Sequence, residues 1–312
     1  MKEIIWKTVL ITVLLFSLLI LVPGAVPDAA AEDALPVYTP VTLKATDVTP
    51  IPYDEKTPYA PHEDAFLPDE GGYLDDTISV RVETFRAYET NCWCAWIQIA
   101  DASQLRTELA KPYPSKSTSW ADNISRKVKA VLAINGDYFI DRKEGLIVRN
   151  GKELRSKYYD GFDALVIDTD GDFHILTGST EESFRPYAGR IAHAFCFGPG
   201  LVIDGKQITE FPSKMMTPQN KTQRIAFCQM DHLSYLVIAT EGPEQRNSEG
   251  LTMREFSDLI MQFKPQNAYN LDGGSSTWLV LNHQKLNART KKRTIADIIY
   301  FVTAMPEEAS DD

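Results

Sequence analysis

Three dipeptides constrain this chain more than anything else in it. Asn150-Gly151, Asp170-Gly171 and Asp204-Gly205 each separate two apolar runs. The favoured two-residue hairpin loop needs positive φ at its central positions, which Asn, Asp and Gly tolerate at little cost. Between such turns a chain makes short antiparallel strands. The surrounding pattern agrees: Ile78, Val80 and Val82 alternate with polar residues, as on a half-buried strand. Apolar runs at 96–99, 131–134, 195–203, 224–230, 235–239, 277–281 and 295–302 read as further strands. Helices are few. Residues 118–129 suggest a short one. Thr252, with Glu255 three residues on, forms a capping box, and Phe256, Leu259, Ile260 and Phe263 supply one apolar face behind it. The expected fold class is α+β: a single strand-rich domain of mixed or antiparallel sheet with a few helices, covering 71–305.

The part before that domain has a different texture. Residues 9–22 form a fourteen-residue run without a charge, preceded by Lys2 and Lys7. A basic flank followed by such a run is a signal-peptide pattern, with Ala29 and Ala31 as a cleavage site. The apolar stretch 4–22 is also nearly long enough for an uncleaved single-pass anchor. Either reading of 1–31 puts the domain outside the cytoplasm, and the second makes the cell membrane a partner. Nine of the eighteen prolines fall in 23–68, which disfavours helix and favours extended chain. Residues 32–70 therefore read as a stalk or linker, with Tyr38, Tyr53, Tyr59 and Phe66 available to pack on the domain. Residues 306–312 form an acidic tail.

The whole chain is acidic, with 32 Lys+Arg against 43 Asp+Glu and a net charge of -11 over 312 residues. That balance argues against nucleic acid as a partner, since such binding needs a basic footprint. It also requires any anionic ligand to be met by positive charge gathered locally. The cysteines Cys92, Cys94, Cys196 and Cys228 read either as disulfides or as buried free thiols. The histidines show no metal-ligand spacing; His193 stands out only because it precedes a glycine-rich loop.

Chemistry is concentrated where strands run into Gly, Asn, Asp and Ser. Asp272 ends an apolar strand. Gly273 and Gly274 permit close backbone approach, while Ser275, Ser276 and Thr277 add hydroxyls. Such a loop can cradle an anion with its N–H groups. Asn135, Gly136 and Asp137 end another strand, Gly198 opens a third loop, and Arg224 enters a fourth strand. Each has a plainer reading: Asn135 as a turn former, Arg224 as an ion-pair partner, Asp272 as a loop cap. Trp120 and Trp278 suit either a sugar ring or the core.

Taken in order, A-I-N-G-D-Y-F at 133–139, G-P-G-L-V-I-D-G-K at 198–206, R-I-A at 224–226, S-E-G-L-T at 248–252, N-L-D-G-G-S-S-T at 270–277 and R-T-I-A-D-I-I-Y-F at 293–301 form a series. The series resembles the phosphodiester glycosidase family over 131–302. That resemblance implies hydrolysis of a sugar-1-phosphodiester at the glycosidic C–O bond, leaving a phosphate monoester. It implies catalytic roles for Asp272, Asp137, Arg224 and Asn135. It implies substrate contacts from Gly136, Gly198, Gly273, Gly274, Ser275 and Ser276, with Glu241 as a third carboxylate. The chain departs from the family pattern at Phe227 and Cys228 after the arginine, and at Glu241-Gly242-Pro243 after the next strand. No cofactor is required, though Asp137 and Asp272 are oxygen donors of the kind Ca²⁺ or Mg²⁺ takes. A non-catalytic carbohydrate- or phosphate-binding envelope protein, and a phosphodiesterase breaking the P–O bond, remain as alternatives.

Overall fold

The computed structural model describes residues 34–45, 47–54, 59–67, 71–211, 217–245, 247–287 and 293–306. The apolar segment and its cleavage site, the acidic residues 307–312, and Arg289, Lys291 and Lys292 lie outside them. Among the described residues no helix is long and apolar enough to cross a membrane.

The domain is strand-rich and its strands form three sheets. The largest has nine strands. Its middle is the hairpin Ile78–Ala87 and Thr90–Ile99, followed by Ser234–Thr240, Ile225–Asp231, Asn267–Asn270 and Gly200–Ile203. A second sheet of five orders Phe173–Leu176, Ala164–Asp168, Ile191–Phe195, Ile147–Arg149 and Lys152–Arg155. A third, also of five, orders Gln284–Lys285, Leu279–Leu281, Leu132–Asn135, Asp297–Phe301 and Leu105–Leu109. Every pairing between these strands is antiparallel, so the parallel component that a mixed sheet would need is absent among the described residues.

Two of the three hairpin dipeptides make the expected two-residue turns; Asp170-Gly171 instead lies in the four-residue loop 169–172, where Gly171 takes φ 86° and Asp170 has no positive φ. Asn150 and Gly151 have φ of 51° and 70°, and Asp204 and Gly205 have 49° and 72°. The run 195–203 is not one strand. It breaks at 196–199, between Ile191–Phe195 and Gly200–Ile203, where Gly198 takes φ 75° and Pro199 follows. A Pro lacks the N–H that a central ladder needs. The capping box forms: the Thr252 hydroxyl accepts from Glu255 N–H, and Glu255 accepts from Thr252 N–H. The helix it opens, Met253–Gln262, lays Phe256, Leu259 and Ile260 on one face of the nine-stranded sheet, against Ala226, Cys228, Leu236 and Ile238. The alternate residues Ile225, Phe227 and Val237 enter the central core, where all three sheets meet. There Phe227 lies 4.8 Å from Phe173 and 6.0 Å from Phe301, ring centre to ring centre.

The described part of the proline-rich segment lies against the domain. Tyr38 stacks on Trp96 at 4.9 Å. The buried Arg106 donates to the carbonyls of Ile51 and Pro52, and Ser103 Oγ accepts from Ile51 N–H. All four cysteines are free and buried. Burial pushes the Cys92, Cys94 and Cys196 thiols up to about 12, which makes them poor nucleophiles.

One buried ion network ties two of the sheets together. Arg149, at the end of its strand, donates from Nε to Asp297 Oδ2 at 2.8 Å and from Nη2 to Asp137 Oδ1 at 3.0 Å. Its Nη1 reaches Ala194 O in the neighbouring strand, and the guanidinium lies 4.0 Å from the centre of the Phe195 ring. Asp137 Oδ2 accepts from Cys196 N–H at 3.0 Å. Removing the cation from such a group strands two interior carboxylates, a loss of about 3–5 kcal/mol. Arg149→Leu should lower the unfolding free energy by about that amount in urea denaturation. Adding Asp297→Asn to it should recover part of the loss, because one of the stranded charges is gone.

Candidate functional site

The pairing Ala226↔Asn270 continues one step further, through Leu271 N–H to Ile225 O at 3.0 Å. Two residues on from that pair, Arg224 and Asp272 fall on the same rung. Strand alternation then sends Asn270, Asp272 and Arg224 to one face of the ladder. All three line a cleft of about 270 Å³ beside the start of the helix Met253–Gln262. The break at 196–199 supplies its opposite edge, with Phe197, Gly198 and Pro199; Phe162, Phe211 and Met253 add apolar wall, and Arg142 and Arg293 complete the polar lining.

The loop that carries Asp272 is shaped by its glycines. A Cβ on Gly273 would stand 2.7 Å from Gln223 O, and Gly274 takes φ 58°. Gly274 N–H donates to that same carbonyl, Ser276 N–H to Gly273 O and Thr277 N–H to Gly274 O. Three of the N–H groups expected to cradle an anion are therefore spent inside the loop. Positive charge in the cleft comes from side chains instead.

Asp272 is the carboxylate of the cleft. Burial raises it to about 6, against the opposing pull of the Ser276 hydroxyl hydrogen bond and of Arg293, while Asp137 adds to the rise. Arg224 is buried, and desolvation lowers it to about 10. Its Nε donates to Leu251 O and its Nη2 to Asn220 O, and the residue lines the cleft. Arg142 is held by Cys196 O and lies over the Phe197 ring at 4.9 Å. Arg293 donates to the Tyr138 hydroxyl at 3.0 Å and stands 3.6 Å from Asp141. Asn270 donates to Gly198 O, and its buried Oδ1 has no partner among the described residues.

Of the residues singled out from the sequence, Asp272, Arg224, Gly198, Gly273, Gly274 and Ser275 meet in this cleft. Asn135, Gly136, Asp137 and Ser276 stand behind it, around a smaller hollow that also includes Asp272. Asn135 has its whole amide engaged: it donates to Asp272 O and Gly136 O and accepts from Trp278 N–H. It positions the Asp272 loop. Gly136 is demanded by Asp297, whose carboxylate would lie 2.3 Å from a Cβ there. Asp137 has one hydrogen bond on each oxygen, from Arg149 and from Cys196 N–H, so it belongs to the ion network. No group of three or more His, Cys, Asp or Glu side chains is gathered for a cation among the described residues. Glu241 is not in the cleft lining; it accepts from Asn91 Nδ2 at 2.8 Å and from the Ser248 hydroxyl at 2.5 Å.

His193 is a structural histidine, accepting from Asn150 N–H at Nδ1 while Nε2 bonds Leu105 O; burial lowers it to about 3. Trp278 is fully buried, with its indole N–H on Arg293 O. The residues that sequence reasoning missed are Arg142, Arg293 and Asn270 in the cleft, and Arg149 and Asp297 behind it. Arg293, Asp297 and Asn270 lay inside motifs already noted; Arg142 and Arg149 carried no local signal.

The phosphodiester glycosidase family profile matches residues 128–302. The SPbeta prophage-derived uncharacterized protein YomE of Bacillus subtilis strain 168 is 25% identical over 170 residues, 53% of this chain but 26% of that protein. The chain thus spans about a quarter of that relative's length. Among solved structures, the catalytic domain of zebrafish N-acetylglucosamine-1-phosphodiester alpha-N-acetylglucosaminidase, auto-inhibited by its pro-peptide, superposes with a TM-score of 0.59 at 14% identity, covering 78% of this chain and 86% of that one. A hypothetical protein from Synechocystis gives 0.51 at 16% identity, covering 72% and 62%. These likenesses establish a shared fold. With its profile matched across more than half of its length, the chain belongs to the phosphodiester glycosidase family, a family of hydrolases.

Proposed function

We propose that this protein hydrolyses a sugar-1-phosphodiester by breaking the sugar C–O bond, with Asp272 as the base. The observation that carries this reading is one buried carboxylate, raised to about 6, sharing a cleft with Arg142, Arg224 and Arg293, of which only Arg293 has an ion-pair partner, Asp141, among the described residues. A phosphate monoester is a good leaving group, since its second pKa is about 6. Its departure needs charge stabilisation more than a proton. Arginine offers that through charge-assisted, bidentate hydrogen bonds. The carboxylate is then free to act as the base. Water attacks the anomeric carbon, Asp272 takes its proton, and the C–O electron pair leaves with the phosphate. Phe162 and Phe197 offer apolar surface to the sugar, and Asn270 Oδ1 an acceptor for one of its hydroxyls. The uncharged run at 9–22 supports action outside the cytoplasm, on a glycan or envelope polymer.

Hydrolysis in ¹⁸O-labelled water tests the bond that breaks: label should enter the released sugar, and label in the phosphate would mean P–O cleavage. Asp272→Asn should lower kcat/KM by about 10²–10⁴-fold, the usual worth of a positioned base. The pH profile follows from the same group. Only ionised Asp272 accepts a proton, and its pKa lies above the ordinary 3.8, so kcat/KM should rise with pH and reach half its plateau near about 6. Arg293 favours the ionised form. Arg293→Gln should therefore move this acidic limb to higher pH, a shift that a purely structural role would not produce.

A further inference from the structure

The cleft carries one positive charge in surplus. Arg142, Arg224 and Arg293 line it, against Asp272 in the same lining and Asp141 beside Arg293 at 3.6 Å. That surplus matches the single charge of a phosphodiester. The hydrogen bonds of the guanidinium groups decide which of them meets it.

A guanidinium binds two oxygens best through one edge, where Nε–H and an Nη–H run parallel. In Arg224 that edge is spent. Nε donates to Leu251 O at 3.1 Å and Nη2 to Asn220 O at 3.0 Å. Leu251 pairs with Thr222, and Met253 N–H donates to Pro218 O. The arginine thus ties together the wall that Pro218, Thr222 and Met253 give the cleft.

In Arg142 the same edge is open. Nη1 donates to Cys196 O, and neither Nε nor Nη2 has a hydrogen-bond partner among the described residues. Aromatic rings fix the guanidinium instead. Its central carbon lies 4.9 Å from the centre of the Phe197 ring, 5.6 Å from that of Phe162 and 5.8 Å from that of Tyr159. Tyr159 and Phe162 stack on each other at 4.0 Å. Ser179 anchors their loop, accepting from Gly161 N–H and donating its own N–H to Phe162 O. Ring contacts of this kind orient a guanidinium without consuming its N–H groups. Arg293 is placed differently again, with Nη2 on the Tyr138 hydroxyl and its charge shared with Asp141.

We propose that Arg142 holds the substrate's phosphate through its Nε/Nη2 edge, as a catalytic residue, and that Arg224 positions the wall of the cleft. The inference rests on the glycosidase reading above and names the group that receives its phosphate. It moves that role from the arginine in the motif series to one that no motif marks.

The wild-type protein tests this without any substitution. Phenylglyoxal modifies accessible guanidinium groups, and peptide mapping locates the adducts. Arg142 is half-buried, whereas Arg224 is 6% exposed with its edge occupied. Arg142 should therefore react, and saturating inorganic phosphate should slow that reaction about tenfold or more. No reaction at Arg142, no protection there, or protection at Arg224 instead, would overturn the proposal. Kinetics on a sugar-1-phosphodiester give the second readout. Arg142→Lys keeps the charge but loses the fork, so its kcat/KM should fall about 10- to 100-fold with little change in melting temperature. Arg224→Lys should lower the melting temperature by about 2–8 °C and, at equal folded fraction, lose less kcat/KM than Arg142→Lys. The opposite order of the two losses would also count against the proposal. Phosphate protection at Arg142 with no turnover of any sugar-1-phosphodiester would sink the glycosidase reading and leave the phosphate site standing. Turnover without protection would do the reverse.

Discussion

The site depends on a guanidinium that never reaches it. Arg149 holds Asp137 and Asp297, which stand at the same end of two paired strands: Asp137 follows Leu132–Asn135, and Asp297 begins Asp297–Phe301. Asp137 in turn fixes Cys196 N–H, where the chain leaves its strand to form the edge of the cleft. The same joint therefore sets the Phe197 wall and the strand end from which Asn135 reaches the Asp272 loop. Buried ion groups give little net stability once desolvation is counted. Their use here is geometric, because a planar fork with three directed bonds admits few alternative packings. Burial holds Asp297 well above the usual carboxylate range, against the pull of Arg149 and with Asp137 adding to the rise. That charge balance is the background against which Asp272 titrates.

Asp272, the base of the reaction proposed above, shows how the fold alters an ordinary residue. Its loop is turned tightly by Gly273 and Gly274, and its own carbonyl is held by Asn135. The main chain is thus fixed, and the carboxylate is left with one hydroxyl and two nearby cations. A fully solvated aspartate would be too weak a base, and a fully ion-paired one weaker still. Partial desolvation with partial compensation raises Asp272 to about 6, a value suited to the proposed base. The loop's N–H groups play no part in this balance because they close the turn itself.

Much of the architecture was written in local chemistry. Asn150-Gly151 and Asp204-Gly205 make the turns their φ preferences require, and Thr252 with Glu255 opens its helix. The motif loops were legible because several strand ends rich in Gly, Asn and Asp recur in one order along the chain, a series more specific than any one of them. What the local pattern could not give was the role of each residue. Asn135 and Asp137 look catalytic in a motif, yet one holds a loop and the other an ion pair, and both facts depend on partners far away in the chain: Asp272 and Trp278 for the first, Arg149 and Cys196 for the second. Glu241 shows the same effect, being drawn to Asn91 and Ser248 by pairing with the distant strand Thr90–Ile99. Arg142 has no period or motif to mark it. Its place is set by the break at 196–199, which is itself a tertiary consequence of Gly198 and Pro199 standing where a strand would otherwise continue.

The chain's excess of acid lies outside the domain: residues 71–305 hold 28 Lys+Arg and 28 Asp+Glu, so the net charge of -11 comes from the flanking segments. Salt screens the field of such segments over about 8–10 Å, so it bears on the approach of a substrate more than on its binding. Inside the cleft the walls exclude water, and charges there are screened far less. Recognition of an anion then falls to short range, to the arginines that line the cleft. In the hydrolysis proposed above the departing phosphate would gain charge as the C–O bond breaks, next to cations already held in place by Cys196 O, Asn220 O and Leu251 O.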